Sequence, residues 1–177
     1  MKPLSRKIYL VLDPPTEADP RPDRQRVIEA LPRELGRVSM TLPVLRRLYA
    51  TLRRGDWRVT AALSRSREGW DLVDLEPGDT TVAHFGVAAD LGSTTLCLRL
   101  LDLNTGRVLA RDSVYNRQIA YGEDILNRVF YCKDSEEKRE ELRQATLDTF
   151  REGLKALERA SGLPMEKCAA MVIAGNT

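Results

Sequence analysis

The run GVAADLGSTT, residues 86–95, constrains this chain more than any other stretch, because an apolar strand leads straight into an acidic residue, a glycine and three hydroxyl residues. Gly92 permits a tight reversal and a close approach of backbone to a ligand. Ser93, Thr94 and Thr95 offer hydroxyls and successive backbone N–H groups, the donor set of an anion-binding concavity. Asp90 is placed to hold a hydrated divalent cation. The residues that follow make a hairpin: 94–101 reads as a strand, Asn104-Thr105-Gly106 as a turn and 107–115 as a second strand. The glycine loop therefore lies at the tip of an antiparallel meander. The same five-residue pattern also fits an ordinary glycine turn, so the reading leans on the rest of the chain.

Residues 1–80 read as a separate small α/β module of order β-α-α-β-β. A strand over 7–12 ends at Asp13-Pro14-Pro15, and after a proline-broken loop Asp23 is expected to cap a first helix. That helix buries Val27, Ile28, Leu31 and Leu35, with Pro32 as a bend or an end and Gly36 as the stop. Thr41 caps a second helix with Pro43 in its first turn, and Leu45, Leu48, Tyr49 and Leu52 form its apolar stripe before Gly55. Its other face, Arg46, Arg47, Arg53 and Arg54, reads as a solvated surface. Alternation over 57–64 and the run 70–75 predict two more strands, and Glu76-Pro77-Gly78-Asp79 a linker.

Beyond the hairpin, 116–132 begins as a loop and becomes a short helix near Gly122, with Ile125, Leu126, Val129 and Phe130 as its apolar face. Asp134 and Glu137 form a capping-box pattern for a long helix that repeats Leu142, Ala145, Thr149, Phe150, Leu154 and Leu157. Gly162 and Pro164 end it, and 169–175 is predicted as a buried strand arriving at Gly175-Asn176-Thr177. A strand followed by a small polar turn suggests a fragment cut at a second functional loop.

Charge and cysteine usage narrow the function. The 28 basic and 26 acidic residues are interspersed, leaving no field that argues for nucleic acid or acidic lipid. No apolar run is long enough to span a bilayer and the N-terminus lacks a signal peptide's apolar region, so a cytoplasmic protein is expected. Cys97, Cys132 and Cys168 are widely spaced with no C-x-x-C pair, and are read as reduced, mostly buried thiols rather than ligands. His84 is the single histidine, and its place between a turn and an apolar strand points to structure rather than catalysis.

Three segments carry a resemblance. GVAADLGSTT (86–95), NRQIAYGEDILNRV (116–129) and VIAGNT (172–177), in this order, are similar to the ATP-binding domain of reductive activators of corrinoid proteins, within the actin, sugar-kinase and heat-shock-chaperone superfamily. The fold class expected is α/β: a middle module over 1–80, then over 81–177 the first part of a ribonuclease-H-like lobe with an antiparallel hairpin and helices. The resemblance implies that Asp90 is the catalytic residue, holding magnesium through water, that Gly92, Ser93, Thr94 and Thr95 cradle the phosphates of ATP, and that Gly175, Asn176 and Thr177 lie near the γ-phosphate. Gln118, Glu123 and Asp124 would face the cleft or the partner, although Glu123 and Asp124 also suit a helix N-terminus on charge alone.

In such proteins ATP helps reduce cob(II)amide to cob(I)amide on a partner corrinoid protein, with electrons from a [2Fe-2S] domain. No C-x₄-C-x₂-C run is present, so that cluster belongs to the parent and not to this chain. A homodimer of the parent is left open. Arg117 stands where the resemblance implies proline after Asn116, which bears on the rigidity of that loop. Two other readings stay open: a small-molecule kinase or acyl-CoA dehydratase activator of the same superfamily, and a non-catalytic docking module.

Overall fold

The computed structural model describes residues 3–175. The chain packs as two compact units, Met1–His84 and Phe85–Thr177.

The first unit is a four-stranded sheet under two helices. In chain order it comprises β1 (Ser5–Val11), α1 (Asp23–Ala30), a 3₁₀ turn (Arg33–Leu35), β2 (Val38–Met40), α2 (Leu42–Arg54), β3 (Arg58–Ser66) and β4 (Gly69–Pro77). The strand order is β1-β3-β4-β2, with β2 parallel to β4 and the other pairs antiparallel. The three-residue β2 is an addition to the sequence reading; it is too short to show alternation. α1 ends at Leu31 because Pro32 cannot continue the helix, and its 3₁₀ sequel brings Leu35 into the core. Pro22, not Asp23, occupies the N-cap, and the Asp23 carboxylate instead accepts from the Arg53 guanidinium. Thr41 holds the α2 N-cap position, but its hydroxyl donates to the Leu72 carbonyl at 3.1 Å rather than capping a helical N–H.

On α2 the buried row is Val44, Leu48 and Leu52, one residue per turn, while Leu45 and Tyr49 are exposed. The Arg53 guanidinium lies 3.9 Å over the Tyr49 ring, which gives that aromatic a surface partner. β3 is buried on both faces from Val59 to Leu63. One face meets the helices; on the other, Thr60 Oγ donates to the Gly78 carbonyl (2.7 Å) and accepts from Thr80 N–H (2.9 Å), fixing the segment after β4. His84 is buried and within 2.6 Å of Ser5 Oγ, a structural anchor. Lys7 and Glu76 form a buried ion pair at 2.5 Å.

The second unit is built on β5 (Phe85–Leu91), β6 (Thr95–Asp102), β7 (Val108–Tyr115) and β8 (Cys168–Gly175), in the order β7-β6-β5-β8. β5, β6 and β7 form the antiparallel meander, and β8 returns parallel to β5. Between β7 and β8 come a 3₁₀ turn (Arg117–Tyr121), α3 (Ile125–Cys132), α4 (Glu136–Ser161) and a second 3₁₀ turn (Met165–Lys167). α4 is capped by Ser135, whose hydroxyl accepts from Lys138 N–H at 3.3 Å, one residue beyond the predicted cap at Asp134. α4 covers one sheet face: Leu157, Phe150 and Leu154 pack on Val87, Ala89, Leu96, Leu98 and Leu100. Gly153 lets the helix come close, since a Cβ there would stand 2.3 Å from Leu98 Cδ1. The alternate residues of β6, Cys97 and Arg99, are exposed on the other face.

β8 is not the buried strand predicted for 169–175. It is the edge of the sheet, and Met171, Val172 and Ile173 are all exposed, because α4 lies over the central strands and not over the edge. The thiols depart from expectation in the same way: Cys97 is exposed and Cys132 and Cys168 are half-buried, all three free. Among the described residues no helix is long and apolar enough to cross a membrane.

Candidate functional site

The turn after β5 is assembled by backbone and by one buried side chain. Gly92 N–H donates to the Thr95 carbonyl at 2.9 Å, closing the reversal into β6. A Cβ at Gly92 would sit 2.9 Å from that same carbonyl oxygen, so the tightness of the turn requires glycine. Asn116 locks the turn from below. It is 2% exposed; its Nδ2 donates to the Gly92 carbonyl (3.0 Å), its N–H donates to the Thr94 carbonyl (2.8 Å), and its Oδ1 accepts from Gln118 N–H (3.0 Å). Every polar atom of the Asn116 side chain except one amide hydrogen is thus committed to shaping the loop.

Arg117, where proline was expected, contributes what proline could not. Its N–H donates to Thr149 Oγ at 3.0 Å and its guanidinium pairs with Glu152 at 2.9 Å, which ties the loop to α4. Thr149 is fully buried, and its hydroxyl donates in turn to the Ala145 carbonyl at 2.8 Å.

Around this turn lies a cavity of about 470 Å³. Its walls bring together Gly92, Ser93, Asn116, Gln118, Glu123 and Asp124, and add Arg128 from α3. The Asp124 carboxylate is occupied as the α3 N-cap, accepting from Asn127 N–H at 2.7 Å. Gln118 donates to Thr146 Oγ (2.8 Å) and the Leu142 carbonyl (3.1 Å), so its amide is held against α4. Asp90, exposed near the end of β5, pairs in the sheet with Cys97 and Ala174, its carboxylate makes no hydrogen bond or ion pair among the described residues, and neither it nor Thr94 and Thr95 line the cavity. Thr94 and Thr95 act through their carbonyls, as acceptors that set the turn. Gly175 lies in register beside Leu91, bringing the end of β8 to the same rim as the turn. Asn176 and Thr177 lie outside the described residues.

A larger depression, about 1060 Å³, opens over β7 and α4 and shares Asn116 with the first. Its charged walls are Glu141, Asp148, Glu152 and Arg117, and the arginine is already paired, so among the described residues it offers an anion no free cation. The smaller cavity, at the glycine turn, has the donors.

Two residues of the site escape a reading of the sequence alone. Asn116 stands in the NRQ run, where an Asx residue directly before a helix-like turn, able to accept from the N–H two residues on, is a local signal that could have found it. Arg128 gave no such signal, because the apolar face of α3 points elsewhere: Ile125, Leu126, Val129 and Phe130 are exposed, and Arg128 is turned inward.

A mixed α/β chain with a meander, a returning parallel strand and a covering helix is the first part of a ribonuclease-H-like lobe preceded by a smaller module. The RACo middle region matches residues 85–177 and the RACo linker region matches residues 1–82. The chain belongs to the RACo family. It is similar to the corrinoid activation enzyme RamQ of Eubacterium limosum, 27% identical over 93 residues that make up 52% of this chain and 16% of RamQ. The solved structure of a reductive activator for corrinoid, iron-sulfur protein superimposes with a TM-score of 0.85 at 32% identity, covering 99% of this chain and 28% of that one. The chain therefore spans less than a third of either relative's length.

Proposed function

We propose that this chain is part of an ATP-dependent reductive activator that acts in the cytoplasm on a partner corrinoid protein, where one electron takes cob(II)amide to cob(I)amide. The observation that carries this reading is the glycine turn locked by Asn116 beside an exposed Asp90 whose carboxylate has no partner among the described residues. The set of groups fits Mg-ATP: a carboxylate without a partner among the described residues, exposed hydroxyls on Ser93 and Thr94, and a turn too tight for any side chain at Gly92. Bound there, Mg-ATP would supply the binding and hydrolysis energy that activation draws on. Asp90 would accept hydrogen bonds from waters on the cation, and Gly92, Ser93, Thr94 and Thr95 would cradle phosphate oxygens. Gly175, Asn176 and Thr177 would approach the terminal phosphate from β8. The electron would come from a [2Fe-2S] centre carried by the parent protein; among the described residues no group of His, Cys, Asp and Glu is arranged to hold a metal. RamQ and the reductive activator, by their names, support the corrinoid partner.

The test is Asp90→Asn in the full-length protein, assayed for Mg-ATP binding, hydrolysis and cob(II)amide reduction. Charge-assisted hydrogen bonds contribute roughly 1.5–3 kcal/mol each, so affinity or turnover is expected to fall at least about tenfold with little change in thermal unfolding. Wild-type values in all three assays would make Asp90 a plain strand residue and end the proposal.

A further inference from the structure

Among the described residues Arg128 is the one strongly basic group of the cavity wall, and its hydrogen bonding is incomplete. The residue is 5% exposed. Nε donates to the Gly122 carbonyl at 2.8 Å and Nη1 reaches Gln118 Oε1 at 3.3 Å, both neutral acceptors. Nη2 is buried with no hydrogen-bond partner. Both of its hydrogen-bond partners among the described residues are neutral, although Glu123 and Asp124 share the same wall. A buried cation costs several kcal/mol unless it is paired and its donors are used, so a guanidinium held in this state is poised for a negative oxygen.

The surroundings hold Arg128 in place for that use. Gly122 carries the carbonyl that receives Nε, at a φ of 153°; a Cβ there would stand 2.8 Å from Asn127 Cβ and 3.0 Å from Arg128 N. The other face of the same cavity is the Gly92–Ser93 turn, fixed by Asn116. Two independent features thus converge on one cavity: a turn carrying the exposed Ser93 hydroxyl, and a buried guanidinium with an unused donor. Asp124 is occupied as the α3 cap, Glu123 is exposed, and phosphate that arrives with a divalent cation brings charge to balance both.

We propose that Arg128 is an oxyanion-binding residue, whose Nη2 donates to a phosphate oxygen seated between α3 and the Gly92–Ser93 turn. This deepens the nucleotide reading and rests on it for the source of the phosphate. Arginine suits the role because its fork can keep Gly122 and Gln118 on one side while offering a donor on the other, which a lysine ammonium cannot do with the same geometry.

The test is a side-chain NMR titration of the 177-residue chain with inorganic phosphate, against chloride at matched ionic strength. The Arg128 Nε–Hε and Gly92 amide signals are expected to shift together and saturate with phosphate alone. Arg128→Met should weaken phosphate, read at the Gly92 amide, at least about tenfold. Should that variant fail to fold, Arg128→Lys, which keeps the charge and loses the fork, should still weaken phosphate several-fold. An Arg128 signal that stays still while Gly92 saturates, phosphate affinity unchanged in the folded variant, or no saturable phosphate response at all would each overturn the proposal. A parallel Mg-ATP titration of the full-length protein, with the same variants, separates the two readings. Binding lost in Asp90→Asn but indifferent to Arg128→Met would sink the role of Arg128 and keep the nucleotide; a phosphate response through Arg128 with no Mg-ATP binding would keep the oxyanion site and sink the nucleotide.

Discussion

Each unit buries one arginine, and the two are treated in opposite ways. In the first unit Arg26, 4% exposed, donates from Nε to the Arg21 carbonyl, from Nη1 to the Asp13 carbonyl and the Asp19 carboxylate, and from Nη2 to the Asp19 carbonyl. In the second, Arg128 is as deeply buried and is left with a donor unused. The surroundings differ accordingly. The first sheet is covered on both faces of β3 and closes around its charges; the second has one face under α4, an exposed edge strand and two cavities at its tip. A buried charge that is fully paired organises a loop, whereas one left short has a donor to spare, which is the ground of the oxyanion proposal for Arg128.

The sharpest way to break that contrast is to remove each arginine. Arg26→Met should destabilise the first unit by about 3 kcal/mol, the lower part of the range for breaking a buried pair. Urea unfolding followed by tryptophan fluorescence reads this unit alone, since both tryptophans, Trp57 and Trp70, belong to it. Arg128→Met should change amide-exchange stability in the second unit by about 1 kcal/mol or less, because only two neutral acceptors lose a partner while an underpaired buried charge is relieved. Equal losses would erase the distinction.

Gly153→Ala asks whether the one covered face of the second sheet is as tightly fitted as the first. Alanine gains up to about 1 kcal/mol of helix propensity, but its Cβ meets Leu98, and a net loss of about 1–2 kcal/mol is expected by amide exchange on β6. A gain would mean that Leu98 swings aside freely.

Acid should act on the first unit through Asp19. Hydrogen bonds from Arg21, and then from Arg26, hold its carboxyl well below the usual carboxylate range. A depressed carboxyl contributes stability that is complete above its unfolded pKa of about 3.9 and is lost as pH falls below it. The urea midpoint of the first unit should therefore fall between about pH 4 and about pH 2, and Asp19→Asn should flatten that slope; an unchanged slope would remove Asp19 from the account.

The smallest effect concerns the open face of the second sheet. Cys97 is exposed there, whereas burial pushes the Cys168 thiol up, leaving less thiolate at any given pH. Alkylation at pH 8 followed by peptide mass analysis should modify Cys97 before Cys168, and raising the pH should narrow the gap. Faster labelling of Cys168 would mean that β8 opens readily from the sheet.

What the sequence made legible was local. The glycine turn, the hairpin and the period of α4 are each dictated within a few residues, by backbone freedom or a repeat; Pro32 was expected to bend or end the first helix, with the stop at Gly36, and the helix ends before it. Choices between two apolar neighbours were not: Leu45 and Tyr49 look as buriable as Val44, and only the position of the sheet under α2 decides. At the site, Gly92, Ser93, Gln118, Glu123 and Asp124 were anticipated and do line one cavity, while Asp90, Thr94 and Thr95 stand outside its walls. Arg128 was hidden for a physical reason. An arginine beside four large apolar residues on a short helix reads as the solvent side, and the inversion depends on Gly122 and Gln118 meeting it from other elements.

The return of β8 to pair with β5 sets an order of assembly. β5, β6 and β7 follow one another through short turns, but β8 finds β5 about 80 residues further along the chain. Loop-closure entropy delays such a pairing relative to the hairpins, so during synthesis the meander can form while α4 and β8 are still being made. The closures that shape the Gly92 turn, to Thr95 and Asn116, all lie within that early part. The turn is thus a product of the first-formed layer, and its geometry is inherited by whatever strands are added at the edge afterwards.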